Sequence, residues 1–586
     1  MSAIIGYWGQ GQRDELAGQF NKILSTIHPL PKHYQHAFTE QGTHMGVAWW
    51  GDNVRAKTDD QKIEVALSAS GLKTEADVTI RAWQEGLEFS CDAFGRVPFY
   101  WLQQHNMIWF SNQVQLLLLL VENAEISVAG LHGYACLSYV PTPHTPLKKV
   151  FAVPAGTARK FQFVNDSGRA DSPSRMEISW SKLDYKWQEA PLKIDKEFKA
   201  VTQLQKLLTE AMNAQLTDAP STTVGVFLSG GLDSAITAAL LVRAGIKVRA
   251  YTLDFGDYGV SEIPYAERVA KYLDIPLVKV SATPNRIKEA LPATVKALDM
   301  PFGDGVTVPL YLLYQAANKE CSVVFNGEGG DQLFAGWTNK PLITSDVYQP
   351  ASPTGAGFHQ DYLRTFHRLH GSESLVYEPE ILAKVQALDP LNWLGDALDD
   401  VFTPSLLHRL RRANLMLKGA QNIQPRATNL AFANKLSVRT PFCHHALAKW
   451  TFQLNGASFL RESHEKYLLK KAVELWLPGE VVWREKRGMG VPLTAWCTGP
   501  LWDEVGKWLQ PAMLKDEGIW QPDLALRVST GNLSGQIQGR RIGETLWLLL
   551  MWQAWRVTVL QAELKKSFYS PFLLPPGFWR WKMKSA

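Results

Sequence analysis

Residues 226–234, Val-Phe-Leu-Ser-Gly-Gly-Leu-Asp-Ser, run an apolar segment into two glycines, two hydroxyls and a carboxylate. Residues 223–228 are apolar and β-branched and read as a strand; residues 235–244 read as a helix. Between them, Ser229-Gly230-Gly231-Leu232-Asp233-Ser234 makes an anion cradle. The glycines permit a tight turn and close approach, Ser229 and Ser234 offer hydroxyls, and the helix start presents free N–H groups with a positive dipole end. The anion that fits is the pyrophosphate of ATP, with Leu228 closing the strand beside it. Asp233 would repel phosphate unless Mg²⁺ lay between them, which makes it a candidate metal ligand. The plainer alternative, an ordinary Ser/Gly turn, lacks a reason for the strand before it and the helix after it.

A second strand-to-helix turn follows at Val323-Val324-Phe325-Asn326-Gly327-Glu328-Gly329-Gly330-Asp331-Gln332-Leu333-Phe334. Asp331 would face Asp233 across the phosphates, and Mg²⁺ would offset the repulsion between the two carboxylates. Further on, Glu465-Lys466-Tyr467-Leu468-Leu469-Lys470-Lys471 reads as a helix, and Lys486 and Arg487 lie on the glycine-flanked loop Arg484-Glu485-Lys486-Arg487-Gly488-Met489-Gly490-Val491-Pro492-Leu493. These two cations could contact phosphates as the site closes. A lysine on a helix is, by itself, usually a solvated face.

These turns need a parallel sheet to hold them. From residue 194 the chain alternates helix and strand: an amphipathic helix at 198–215, the strand to Leu228, a helix, and a strand at 248–255. Ligand then belongs at the carboxyl ends of the strands. Residues 1–165 instead read as short strands at 4–8, 45–50, 62–68, 87–91, 99–102 and 107–111 with a helical stretch at 114–121, an antiparallel β-rich region. A polar loop at 165–175 lies near the division, placed between 180 and 195, so that residues 1–185 and 186–586 are the expected domains.

At 586 residues two or three domains are expected. A net charge of +5 gives no bulk case for nucleic-acid binding. The five cysteines, Cys91, Cys136, Cys321, Cys443 and Cys497, contain no CxxC pair, so neither a zinc site nor a disulfide framework is indicated and a reducing cytoplasm fits. No apolar run reaches the 18 or so residues that span a bilayer, and no signal peptide is expected. Most of the 22 tryptophans are expected in the core. The basic, aromatic tail Phe578-Trp579-Arg580-Trp581-Lys582-Met583-Lys584 reads as a frayed end or a partner contact.

Together the three motifs resemble those of the asparagine synthetase family, ATP-pyrophosphatase type amide ligases, and the likeness spans almost the whole chain. The resemblance implies an N-terminal Ntn-hydrolase-like domain, a C-terminal adenine nucleotide α-hydrolase-like domain with added helices, and an enzyme that adenylates a carboxylate and lets an amine form an amide. It implies ATP and Mg²⁺ as cofactors and places Glu328 beside the attacking amine as proton acceptor. Lys466 would stabilise negative charge in adenylation and amide formation. The backbone around Leu253 and Asp254 would hold adenine, and Gly327 and Lys486 would join the phosphate contacts. Asp304, in Asp299-Met300-Pro301-Phe302-Gly303-Asp304, would orient the nucleotide or its loop.

Two matches extend to the N-terminal region: Cys91-Asp92-Ala93-Phe94-Gly95-Arg96-Val97-Pro98-Phe99-Tyr100, and Tyr134 through Val140-Pro141 to Val153-Pro154-Ala155-Gly156-Thr157. A working glutaminase of this class uses an N-terminal cysteine; here Ser2 stands in that place. The family's Arg-Leu-Ser-Ile and Asn-Gly-Glu-Ile-Tyr-Asn segments are missing, so this region is expected to be a degenerate glutaminase. Counting back from Arg439-Thr440-Pro441-Phe442, the family's charged block is replaced by Ala427-Thr428-Asn429-Leu430-Ala431-Phe432-Ala433, with Ser437 for a glutamate and His444 for an aspartate. Charges lost near a pocket for free aspartate suggest another substrate. The branch favoured is the lasso peptide cyclases, which join a peptide's N-terminal amine to an Asp or Glu side chain; a leader peptidase and a leader-binding protein are the partners that branch implies. The alternatives are an ammonia-using asparagine synthetase, another small-molecule amide ligase, a β-lactam synthetase, against which Glu328 weighs because those enzymes carry tyrosine there, and a silent scaffold.

Overall fold

The computed structural model describes the chain except residues 1, 28–30, 32, 39–42, 59–61, 166–173, 184–186, 191–196, 218–222, 259–260, 337–355, 367, 463, 487, 532, 534–540, 565–569 and 580–586. Two six-stranded antiparallel sheets come first. The first, in order β10-β8-β9-β1-β3-β2, is built from β1 (Ala3–Gln10), β2 (His33–Phe38), β3 (Thr43–Trp50), β8 (Tyr100–Gln104), β9 (Met107–Ser111) and β10 (Val150–Ala152). The second, β12-β11-β7-β6-β5-β4, uses β4 (Val54–Thr58), β5 (Lys62–Leu67), β6 (Val78–Trp83), β7 (Gly86–Cys91), β11 (Thr157–Asn165) and β12 (Ser174–Lys182).

Burial explains the layering. β1 and β3 are buried nearly throughout, so both faces of the first sheet are covered, whereas β5 alternates and presents one face to solvent. Successive residues of β1 point to opposite faces: Tyr7 meets Phe20 of α1 (Arg13–Thr26) at 5.2 Å, and Trp8 stacks on Phe163 of β11 at 4.9 Å. The polar stretch read as a loop near the domain division is flanked by paired strands, Asn165 standing opposite Ser174; its residues 166–173 lie outside the described residues.

The third sheet has five parallel strands in order β15-β14-β13-β16-β17: β13 (Val224–Phe227), β14 (Val248–Asp254), β15 (Leu277–Ser281), β16 (Val323–Phe325) and β17 (Ser437–Arg439). α2 (Val114–Leu118), α3 (Val128–Leu137) and α4 (Glu197–Ala214) precede it in the chain. The sheet's own connections carry α5 (Leu232–Arg243), α6 (Ile263–Tyr272), α7 (Pro284–Leu298) and α8 (Thr307–Ala317), and α9 (Gly330–Phe334) follows β16. The sheet separates two cores. Val224, Val226 and Leu228 join the core shared with α4 and α5, while Phe227, Tyr251 and Leu253 join the core that is continuous with the antiparallel sheets.

β14 and β16 flank β13 on opposite sides, so the strand order reverses at β13 and leaves a crevice beyond its carboxyl end. The buried helix Ile542–Thr558 carries Trp547, Trp552 and Trp555, each 1% exposed or less, as core residues. Among the described residues no helix is long and apolar enough to cross a membrane, and no cysteine is in a disulfide. Tail residues 580–584 and Arg487 lie outside the described residues.

Candidate active site

β13 ends in Leu228 and the chain turns through Ser229 to Gly231 into α5. Gly230 takes φ of 76°, and a Cβ there would lie 2.7 Å from the Cβ of Tyr265, so only glycine fits the close approach of α6. The two serines knit the turn together. Ser229 N–H donates to Ser234 Oγ at 3.2 Å, Ser234 Oγ donates to the Gly231 carbonyl at 3.0 Å, and the two hydroxyls lie 3.1 Å apart.

The turn after β16 comes alongside. Asn326, 5% exposed, accepts from Glu328 N–H at 3.2 Å and from Thr440 Oγ1 at 3.1 Å, which shapes the loop. A Cβ on Gly327 would stand 2.7 Å from Asp233 C and Ser234 N, and one on Gly330 would stand 2.5 Å from Asp233 Cγ. Two glycine-lined turns thus interlock, with Asp233 and Asp331 between them.

Lys466 binds both carboxylates. Its Nζ donates to Asp233 Oδ1 at 2.7 Å and Oδ2 at 2.5 Å, and lies 2.5 Å from Asp331 Oδ1; Lys486 Nζ lies 2.8 Å from Asp331 Oδ2. Lys466 is not on a helix as its sequence context suggests. It occupies the position before the helix Tyr467–Val473 with a left-handed φ of 57°, because the short strand His464–Glu465 must turn sharply to aim the side chain inward. It is 2% exposed and stands behind the carboxylates rather than on a cavity wall. Burial alone would lower its pKa, but Asp233 and Asp331 hold it well above the ordinary lysine value. Burial likewise opposes ionisation of Asp331, and the two lysines outweigh it to hold this carboxylate below the usual range.

Two cavities meet here. The first, about 250 Å³, is lined by Leu228, Ser229, Gly231, Asp233, Ser234, Leu253, Phe255, Tyr314, Asn326 and Gly327. The second, about 490 Å³, is lined by Asp304, Arg368, Lys418, Glu465 and Glu544. Glu328, Asp331, Arg426 and Lys486 border both. Burial raises the Glu328 carboxyl pKa, against the pull of Arg426.

Of the residues expected to contact nucleotide, Gly230 and Asp254 do not line the first cavity. Gly230 serves the turn, and Asp254 uses its carboxylate to accept Gly256 N–H at 2.9 Å, a local turn bond at the strand end. Asp304 lines the second cavity. Its carboxylate accepts from Asn422 Nδ2 at 2.7 Å and Ser138 Oγ at 2.9 Å and pairs with Arg426 at 3.2 Å and Arg368 at 3.5 Å. These cations and Lys418, acting against burial, lower the Asp304 pKa to about 2.

Ser437 and His444 line neither cavity. Ser437 Oγ accepts from Asn53 Nδ2 at 3.1 Å, because β17 runs toward the antiparallel sheets, and His444 precedes the helix His445–Thr451. Only Ala427 of that set borders the first cavity. The charges that do line the second cavity, Arg368, Lys418 and Arg426, were not legible. Lys418 and Asn422 sit on a π-helical insertion, Leu415–Ile423, for which the sequence gives no periodic sign. Ser2 is 5% exposed and donates its hydroxyl to Asn53 Oδ1 at 3.1 Å.

The asparagine synthase family profile matches residues 203–557. An asparagine synthetase (glutamine-hydrolyzing) of Bacillus subtilis is 22% identical over 498 residues, covering 79% of this chain and 74% of that one. A putative asparagine synthetase (glutamine-hydrolyzing) of Mycobacterium bovis is 24% identical, covering 82% and 76%. Among solved structures, the NH3-dependent NAD synthetase from Campylobacter jejuni is 16% identical, covers 33% of this chain and 92% of its own, and has a TM-score of 0.18, too low to bear on the fold.

Proposed function

The chain belongs to the asparagine synthase family and is an ATP-dependent amide-forming ligase; from that premise we propose that it activates a carboxylate of a peptide as an acyl-adenylate and closes a macrolactam with the peptide's own N-terminal amine. The observation that carries this reading is the pair of adjoining cavities that share Glu328, Asp331 and Arg426. One lies at the strand ends, with apolar residues such as Leu253 and Phe255 on its wall and hydroxyls and charges at the glycine-lined turns, and the other, about 490 Å³, is within the range that takes a drug-sized ligand.

ATP would lie in the smaller cavity, its adenine by Leu253 and Phe255 and its phosphates by Ser229, Gly231, Ser234 and Gly327. Asp233 and Asp331 suit Mg²⁺: they are hard oxygen donors whose joint charge Lys466 and Lys486 now balance. Bound there, Mg²⁺ would neutralise phosphate charge. With both carboxylates so committed, Lys466 Nζ is freed to donate to negative charge that develops on the transferring groups.

Arg426, which lines both cavities, would orient the carboxylate to be activated. Glu328, with its raised pKa, would accept the proton that the attacking amine must lose. Expulsion of water by the substrate would protect the activated carboxylate from hydrolysis. Ser2, whose hydroxyl is bonded to Asn53, stands where a glutaminase of this class has its cysteine; a region that hydrolyses no glutamine would leave the amine to come from the substrate or from free ammonia.

A second reading, an ammonia-using asparagine synthetase, is favoured by the opposite charges of the larger cavity, Arg368 and Lys418 against Asp304 and Glu544, which suit the carboxylate and ammonium of a free amino acid. Mass spectrometry separates the two. Linear peptides with an internal Asp or Glu, incubated with ATP and Mg²⁺, should lose one water and yield AMP. Conversion of aspartate to asparagine with ammonia, and no peptide product, would establish the second reading.

A further inference from the structure

Away from both cavities, α3 places His132 and Cys136, one helical turn apart, on one face, 2% and 1% exposed. The segment that follows Arg368 brings His370 and Glu373 against them, and Leu369 N–H donates to the Ala135 carbonyl at 3.1 Å, fixing the two segments together. Cys136 Sγ lies 3.7 and 3.8 Å from the ring nitrogens of His132 and 3.9 Å from His370 Nδ1. His370 Nδ1 in turn lies 3.5 Å from Glu373 Oε1. The ligand atoms of His132, Cys136 and Glu373 all fall within 4.8 Å of one another.

Tetrahedral zinc with bonds of about 2.0–2.3 Å separates its N, O and S ligands by roughly 3.3–3.6 Å, so His132, Cys136 and Glu373 need only small shifts to close on an ion, and His370, beside Cys136 and Glu373, would swing in as the fourth ligand. The surroundings fit the same purpose. Tyr377 OH lies 3.0 Å from His132 Nδ1, which orients the ring and leaves Nε2 for a metal. The rings of Trp393 and Tyr377 stand edge-on to the imidazole at 5.4 and 5.7 Å and keep its outer side dry.

We propose that His132, Cys136, His370 and Glu373 form a structural zinc site that clamps α3 to the segment bearing Arg368. Four protein ligands leave no open position, as in zinc sites that hold folds rather than catalyse. The clamp has a consequence for the larger cavity: Arg368, two residues before His370, pairs there with Asp304 and Glu544. Counting cysteines hides such a site, because its ligands come as a His-Cys pair and a His-Glu pair 238 positions apart from His132 to His370.

The test needs no assay of ligase activity. The full chain, purified without chelators and dialysed against excess Zn²⁺ and then metal-free buffer, should retain one zinc per chain by elemental analysis. Cys136→Ser and His370→Gln should each lose most of it. Co²⁺ in place of zinc should give intense tetrahedral d–d absorption and a thiolate-to-cobalt charge-transfer band in the wild type, with the band gone in Cys136→Ser. Stripping the metal should lower the Tm of the wild type. Because the cobalt spectrum reads the unaltered chain, the outcome does not depend on whether a variant folds. Less than a tenth of an equivalent of zinc retained by the wild type, a cobalt spectrum without a thiolate band, or equal zinc in Cys136→Ser would each overturn the proposal, leaving only a thiol-imidazole contact.

Discussion

Replacing Lys466 with Met removes the one ammonium that Asp233 contacts and one of two that Asp331 contacts. Breaking a buried ion pair by deleting one partner costs about 3–5 kcal/mol, since the remaining charge is left without compensation. Lys486 still serves Asp331, but it is about one-third exposed and offsets little for Asp233. The loss near neutral pH should therefore fall in that range, measured by urea unfolding. Its pH dependence follows from linkage. Burial already raises the Asp233 pKa against the pull of Lys466; without that partner it rises further above the unfolded value of about 3.9, so the variant's deficit grows as pH rises above that value and shrinks toward pH 4. Millimolar Mg²⁺ should restore part of the variant's stability by taking the place of the ammonium. Lys466→Arg should not rescue function, because a Cβ on Gly336 would already collide with Lys466 Cε and a guanidinium needs more room. ATP–pyrophosphate exchange should drop by about 10²–10³-fold in the Met variant. A deficit below about 1 kcal/mol, or one that stays constant between pH 4.5 and 8, would refute the view that Lys466 balances this carboxylate pair.

Glu328→Gln should leave carboxylate-dependent pyrophosphate exchange within a few-fold of wild type while amide formation falls by about 10²–10⁴, measured by product mass spectrometry. Asp304→Asn should cost about 2.5 kcal/mol at pH 7, from a folded pKa near 2 against about 3.8 unfolded. That contribution is present above the unfolded pKa and fades as pH falls through the folded one, so acid unfolding of wild type and variant should converge near pH 2. Ser2→Ala removes one hydroxyl bond to Asn53 and should change stability by about 1 kcal/mol, with amide formation unaltered in a coupled AMP assay. Asp299→Asn turns an acceptor of Val114 and Gln115 N–H groups into a partial donor at the start of α2 and should destabilise by about 2–3 kcal/mol in thermal unfolding.

The parallel sheet was legible because each of its site-bearing strands is a short apolar run that ends in glycines: 223–228 and 323–325 announced β13 and β16 within a residue or two. Asp233, Glu328 and Asp331 were legible for the same reason, since they stand on those turns. Lys466 was found by its neighbourhood but not its conformation, because a left-handed residue between a two-residue strand and a helix carries no glycine to mark it. β2, β4, β6 and α1 passed unread, although each of these strands pairs with the strand that follows it in the chain, β3, β5 and β7. The larger cavity was the least legible feature. Arg368, Lys418 and Arg426 converge on Asp304 from separate segments, and Ser437 and His444, which alignment to a family pattern places near substrate, follow β17 away from it.

This chain is proposed to activate a carboxylate with ATP at the crevice beyond β13. Carboxylate-dependent exchange of pyrophosphate into ATP, in Mg²⁺, tests it most directly, with wild type and Asp233→Asn side by side and either free aspartate or a linear peptide carrying an internal Asp or Glu. Exchange with the peptide, absent with aspartate and abolished by Asp233→Asn, is the predicted result. Exchange that needs no carboxylate, or that survives Asp233→Asn unchanged, would contradict the site; exchange with aspartate alone would contradict the peptide.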